Sequence, residues 1–73
     1  MIRFLLKERI ADKEFSEKRR IPMDEISKAT GISRQTLSRM INTHGYNATT
    51  DNLDKLCEFF DCELKDIAVR VVS

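Results

Sequence analysis

The chain has 73 residues, 41% of them hydrophobic and 34% charged, with two glycines and one proline. That length supports one domain over residues 1–73 with a small core, without a separate effector-binding or catalytic domain, and the abundance of Leu, Lys, Glu and Arg favours an all-α fold over a sheet protein. Net charge is only +1, yet it is uneven, with +3 over residues 1–20, +1 over 21–46 and −3 over 47–73, a polarity that would orient the molecule on a polyanion. An ordinary solvated surface is the competing reading of charge alone. No apolar run approaches the roughly 20 residues of a membrane span. The segment MIRFLLKERI is too charged, and its apolar run too short, for a secretory signal, so the expected location is cytoplasmic and no membrane partner is expected.

The first predicted helix runs from Ile2 to near Phe15 or Lys18, with Ile2, Leu6 and Ile10 on one stripe and Leu5 and Phe15 beside it. The polar stretch ADKEFSEKRR either extends this helix or opens a loop before the next one. At its end Arg19 and Arg20 form either a phosphate clamp or a solvated pair without a role.

The segment MDEISKATGISRQTLSRMIN has the spacing of two short helices joined by a tight turn. Met23, Ile26 and Ala29 or Thr30 share one side of the first. Gly31 can take the left-handed conformation that stops it without a Cβ penalty, and apolar Ile32 plugs the corner. Ser33 offers its hydroxyl to the free amides of Gln35 or Thr36, so a second helix should begin there. Leu37, Met40 and Ile41, three and four apart, make its buried stripe and leave Arg34, Gln35, Ser38, Arg39 and Asn42 on the other faces. Ser27 is small where two steeply crossing helices approach most closely.

The spacing of Ser27, Gly31, Ile32, Ser33, Leu37 and Met40 resembles the helix-turn-helix of the Cro/C1-type, phage-repressor-like (Xre-type) family of DNA-binding domains. The resemblance continues through a polar loop into DNLDKLCEFFDCELKDI, which looks like the family's fourth helix and short fifth helix. It implies a compact five-helix bundle of the lambda-repressor-like type, with helices 2 and 3 forming the helix-turn-helix over about 22–43. It also implies a recognition helix over about 33–42 in the major groove of double-stranded DNA, and binding as a homodimer on two half-sites. Two departures stand out: the interval from the first helix to Ile26 is several residues longer than is usual in the family, the excess falling within ADKEFSEKRR, and the start of the second helix lacks the family's polar side chains. Where the family has a capping hydroxyl and a phosphate-binding glutamine, this chain has Pro22, suited to a first helical turn but unable to donate, and Met23, which is packing material.

Base chemistry selects the candidate readers. Arginine donates two bonds to O6 and N7 of guanine, and glutamine pairs bidentately with N6 and N7 of adenine, both in the major groove. Arg34 and Gln35 stand at the first turn of the recognition helix, with Ser38 and Arg39 one turn further on; these four are the candidate base readers. For Arg39 a phosphate contact or a salt bridge is an equal alternative. Ser33, Thr36, Asn42, His44, Asn47 and Arg20 are the candidate phosphate contacts, Asn42 because it matches such a position in the family.

In the loop NTHGYNATT, Gly45 marks a turn and Thr50 or Asp51 should cap the next helix. Tyr46 lies either against the DNA backbone or over the core edge. Leu53, Leu56, Cys57 and Phe60, with Phe59 flanking, make the inner face of the fourth helix, and Leu64, Ile67, Ala68 and Val71 continue the pattern. Cys57 and Cys62 do not form a CxxC pair, and no further cysteine or histidine cluster joins them, so buried reduced thiols are expected and no metal or other cofactor. The tail AVRVVS either finishes the fifth helix or forms a strand that pairs with its copy.

Three function classes follow. The first is a sequence-specific DNA-binding transcriptional regulator of bacterial or phage kind, a repressor or an activator acting by occupying an operator rather than by chemistry, with no small-molecule effector expected. The second is a protein-binding module, such as an antitoxin-like partner using the acidic carboxyl half. The third, an enzyme, lacks an activated nucleophile, a metal set or a glycine-rich phosphate loop, and His44 has no partner at useful spacing.

Overall fold

A computed structural model describes residues 1–43 and 45–72. In chain order the elements are strand β1 (Ile2–Phe4), helices α1 (Leu6–Glu17), α2 (Met23–Thr30), α3 (Arg34–Asn42) and α4 (Thr50–Phe60), one 3₁₀ turn (Leu64–Asp66) and strand β2 (Ala68–Arg70). The all-α expectation holds only for the body of the domain: the chain is mostly helical, and the five-helix bundle is corrected to four α-helices and a two-stranded sheet.

Both corrections lie at the ends of the chain. β1 and β2 pair antiparallel, with Ile2 opposite Arg70, Arg3 opposite Val69 and Phe4 opposite Ala68. The ladder continues from Leu5 N–H to the Ile67 carbonyl at 2.6 Å and from Val71 N–H to the Met1 carbonyl at 2.8 Å. The tail thus pairs with the amino-terminal strand of its own chain. What was expected as the fifth helix is reduced to a single 3₁₀ turn, whose entry is fixed by Glu63 N–H donating to Asp66 Oδ2 at 3.1 Å. In that turn Leu64 is exposed while Ile67 is fully buried.

Helix α1 starts at Leu6, and Leu6, completely buried, is its anchor. Phe15, expected beside the buried stripe, is 87% exposed. At about 100° per residue, nine residues beyond Leu6 is the opposite side of the helix. The helix stops at Glu17 because Lys18 adopts the left-handed conformation, φ 56°, with its N–H on the Glu14 carbonyl. ADKEFSEKRR therefore divides between helix and linker. The linker is held by Glu14 Oε2, which accepts the Ile21 N–H at 2.8 Å, and it delivers Ile21 into the core.

That core comprises Leu6, Ile21, Ile26, Ile32, Leu37, Met40, Leu56 and Ile67, so that every helix and the 3₁₀-to-β2 junction contribute. Met23, Ile41, Tyr46, Leu53, Cys57, Phe59 and Phe60 pack around it, which assigns Tyr46 to the core edge. Phe59 and Phe60 meet edge to face, their centroids 4.9 Å apart. Thr49, not Thr50 or Asp51, caps α4 by accepting the Asn52 N–H. Cys57 and Cys62 are free thiols, half-buried rather than fully buried, and burial pushes both thiols upward in pKa.

Candidate nucleic-acid interface

Helices α2 and α3 form the tight pair that the sequence spacing requires. Gly31, at φ 76°, closes α2 with its N–H on the Ser27 carbonyl at 2.8 Å. Thr30 is the buried polar residue of this corner. Its hydroxyl donates to the Ile26 carbonyl at 2.7 Å and accepts the Ile32 N–H at 3.2 Å. Ile32 is thereby buried without an orphaned amide, which would otherwise carry a desolvation penalty. Ser33 then caps α3, accepting the Thr36 N–H at 3.1 Å.

Leu37 and Met40 turn inward from α3, whereas Arg34, Gln35, Ser38, Arg39 and Asn42 are all exposed. At 100° per residue these five occupy an arc of about 140°, a continuous face one groove contact wide. Among the described residues Arg39 takes part in no ion pair, whereas Arg34 Nη1 lies 3.1 Å from Asp24 Oδ1 of α2. Asn42 Nδ2 donates to Ser38 Oγ at 3.2 Å, leaving the serine proton available outward.

The candidate phosphate contacts separate. The Ser33 hydroxyl is engaged twice, by the Thr36 amide and by donation to Thr36 Oγ1 at 2.9 Å; the proton free to leave this pair is that of Thr36, which is half-buried. Arg20 and Asn47 are exposed, and His44 lies outside the described residues. Arg19 is not a partner of Arg20 in a clamp. Its guanidinium binds Glu25 of α2 at 2.7 and 2.6 Å and Glu17 at 2.9 Å. These pairs hold both carboxyls below their ordinary value, Glu25 through Arg19, and Glu17 through Lys13 first and Arg19 second. Sequence spacing carries no signal for this choice of partners, since Arg19 and Arg20 are chemically identical and only the linker path distinguishes them.

Paired charges also redistribute the basic surface. Arg3, Arg9, Lys13 and Arg19 are matched by Glu8, Asp12, Glu17 and Glu25. Among the described residues, Lys7, Lys18 and Arg20 of the first segment, and Lys28 and Arg39 of the helix pair, stand outside such pairs. No helix of the described residues is long and apolar enough to cross a membrane.

Residues 6–73 match the Cro/C1-type HTH DNA-binding domain. The chain belongs to this family. No curated protein matches it. For a Cro/C1-type domain the start of α2 is unusual: Pro22 occupies the N-cap without a side-chain hydrogen bond, and Met23 is half-buried against the core. Neither Pro22 nor Met23 offers a side-chain hydrogen-bond donor at this end of α2.

Proposed function

We propose that residues 1–73 act as a single domain that binds double-stranded DNA sequence-specifically as a small transcriptional regulator, inserting α3 into the major groove. Arg34, Gln35, Arg39 and Ser38 read base edges. Thr36, Asn42, Asn47, Arg20, Ser33 and His44 make up the phosphate set, with Thr36 as the outward donor of the Ser33–Thr36 pair. The observation that carries this reading is the α3 face itself: five exposed donors and acceptors on one arc, backed by Leu37 and Met40 in the core. The fully buried centre of a protein–protein interface is enriched in apolar and aromatic side chains, and these five positions supply none.

The mechanism is occupancy. Phosphate contacts fix register and base contacts discriminate, so binding at a promoter-proximal site excludes other proteins without any chemical step. A homodimer would place two α3 helices on half-sites about one helical turn apart. Selection from a random duplex pool tests the whole reading. The expected result is a two-fold consensus with guanine or adenine at the positions facing Arg34, Gln35 and Arg39; recovery of no enriched sequence, with binding that shows no steep salt dependence, would overturn it in favour of a protein-binding module.

A further inference from the structure

The two arginines on the α3 face are held differently. Arg34 is the first residue of α3, where the positive end of the helix dipole disfavours a cation, and the Asp24 carboxylate from the first turn of α2 stands 3.1 Å from its Nη1. Arg39 lies in the last turn of α3, where a cation suits the dipole, and it has no carboxylate partner among the described residues. The Asp24–Arg34 pair spans the helix-turn-helix, joining the start of the scaffold helix to the start of the reading helix, and both side chains are about two-thirds exposed.

An acidic side chain here is costly for DNA binding as such, because in the complex proposed above it would stand near phosphates and repel them from every sequence alike. Its compensating effect lies in orientation. A guanidinium carries five N–H donors in a fixed fork; engaging one through Nη1 leaves the others for a bidentate bond and restricts a side chain that otherwise loses substantial rotamer freedom on binding. We infer that Asp24 is a positioning residue for Arg34, lowering general affinity for DNA while sharpening discrimination at the one base pair that Arg34 reads; this rests on the assignment of Arg34 as a base reader.

The opposed signs make the test. Wild type, Asp24→Asn, Asp24→Glu, Arg34→Ala and the double variant Asp24→Asn/Arg34→Ala are titrated by fluorescence anisotropy against the selected duplex, its single-base variants and a mixed-sequence duplex at one salt concentration. Arg34→Ala should abolish discrimination at one base pair. Asp24→Asn should bind the mixed-sequence duplex more tightly and lose about two- to five-fold of that same discrimination, the scale of an exposed ion pair, whereas Asp24→Glu should retain most of it. In the Arg34→Ala background Asp24→Asn should change affinity for all duplexes alike and discrimination not at all. If Asp24→Asn tightens every duplex equally while Arg34→Ala still removes discrimination, Asp24 is only a competing charge and the inference fails with Arg34 intact as a reader. Uniform weakening by Arg34→Ala would instead remove the reader assignment, and this inference with it.

Discussion

At the scale of single residues, the corner between α2 and α3 depends on one conformation and one hydroxyl. Gly31 has open space around its missing Cβ, so Gly31→Ala meets no clash and costs only the left-handed backbone penalty, on the order of 1 to 2 kcal/mol. Thr30→Val retains the shape but strands the Ile32 amide in a buried place, and should cost about 1 to 3 kcal/mol. Thermal melts separate these from the reading residues, because Arg34→Ala and Arg39→Ala should leave the melting temperature nearly unchanged. Asp61 offers the converse case. It takes the left-handed conformation at φ 51° with a carboxylate at the negative end of the α4 dipole, so Asp61→Gly should stabilise the fold by roughly 0.5 to 1 kcal/mol. A lower melting temperature for Asp61→Gly would refute that account of the α4 terminus.

At the scale of elements, the helix-turn-helix was legible because its signals are local: a 3.6-residue period, a glycine that stops α2, a serine that caps α3. The ends of the chain were not. Strands of three residues are too short for a two-residue alternation to register, and Ile2 falls by coincidence on the helical stripe of Leu6 and Ile10. Only its partner at the other end of the chain, Arg70, makes Ile2 a strand residue. The cap of α4 is Thr49, one or two positions before the expected Thr50 or Asp51, within the usual imprecision of helix boundaries. Because the tail completes an internal sheet and Ile67 beside it is core, removing residues 68–73 should lower the melting temperature. Loss of dimer mass with no loss of stability would contradict that role. The α1–α2 linker makes a second element-scale prediction. Glu17 and Glu25 are held below the ordinary carboxylate value, so the stability they contribute is fully present above about pH 4.5 and is lost as pH falls through their lowered values. Melts between neutral and acid pH should therefore fall less steeply for Glu25→Gln than for wild type, and equal slopes would show that Arg19 does not staple α2 to α1.

At the scale of the molecule, the net charge of +1 understates the polyanion-binding capacity of the amino-terminal part, because the charge is +3 over residues 1–20 and −3 over residues 47–73, and Lys7, Lys18, Arg20, Lys28 and Arg39 stand outside the ion pairs among the described residues. Arg20 is the exposed cation nearest the start of α2 in sequence, so Arg20→Ala should weaken binding to all duplexes alike and reduce the slope of log affinity against log salt by about 1. The candidate readers were legible as a face, since their exposure follows from helical periodicity. The tether of Arg34 to Asp24 was not, since the two lie on different helices and only the angle of the turn brings them together. In the proposed complex α3 enters the major groove and reads guanine with arginine. Methylation interference measures this directly, because guanine N7 lies in the major groove. The expected result is that N7 methylation at discrete guanines blocks wild-type binding, and that Arg34→Ala becomes insensitive to one of them. Binding unaffected by N7 methylation anywhere, with interference confined to minor-groove adenine N3, would contradict it.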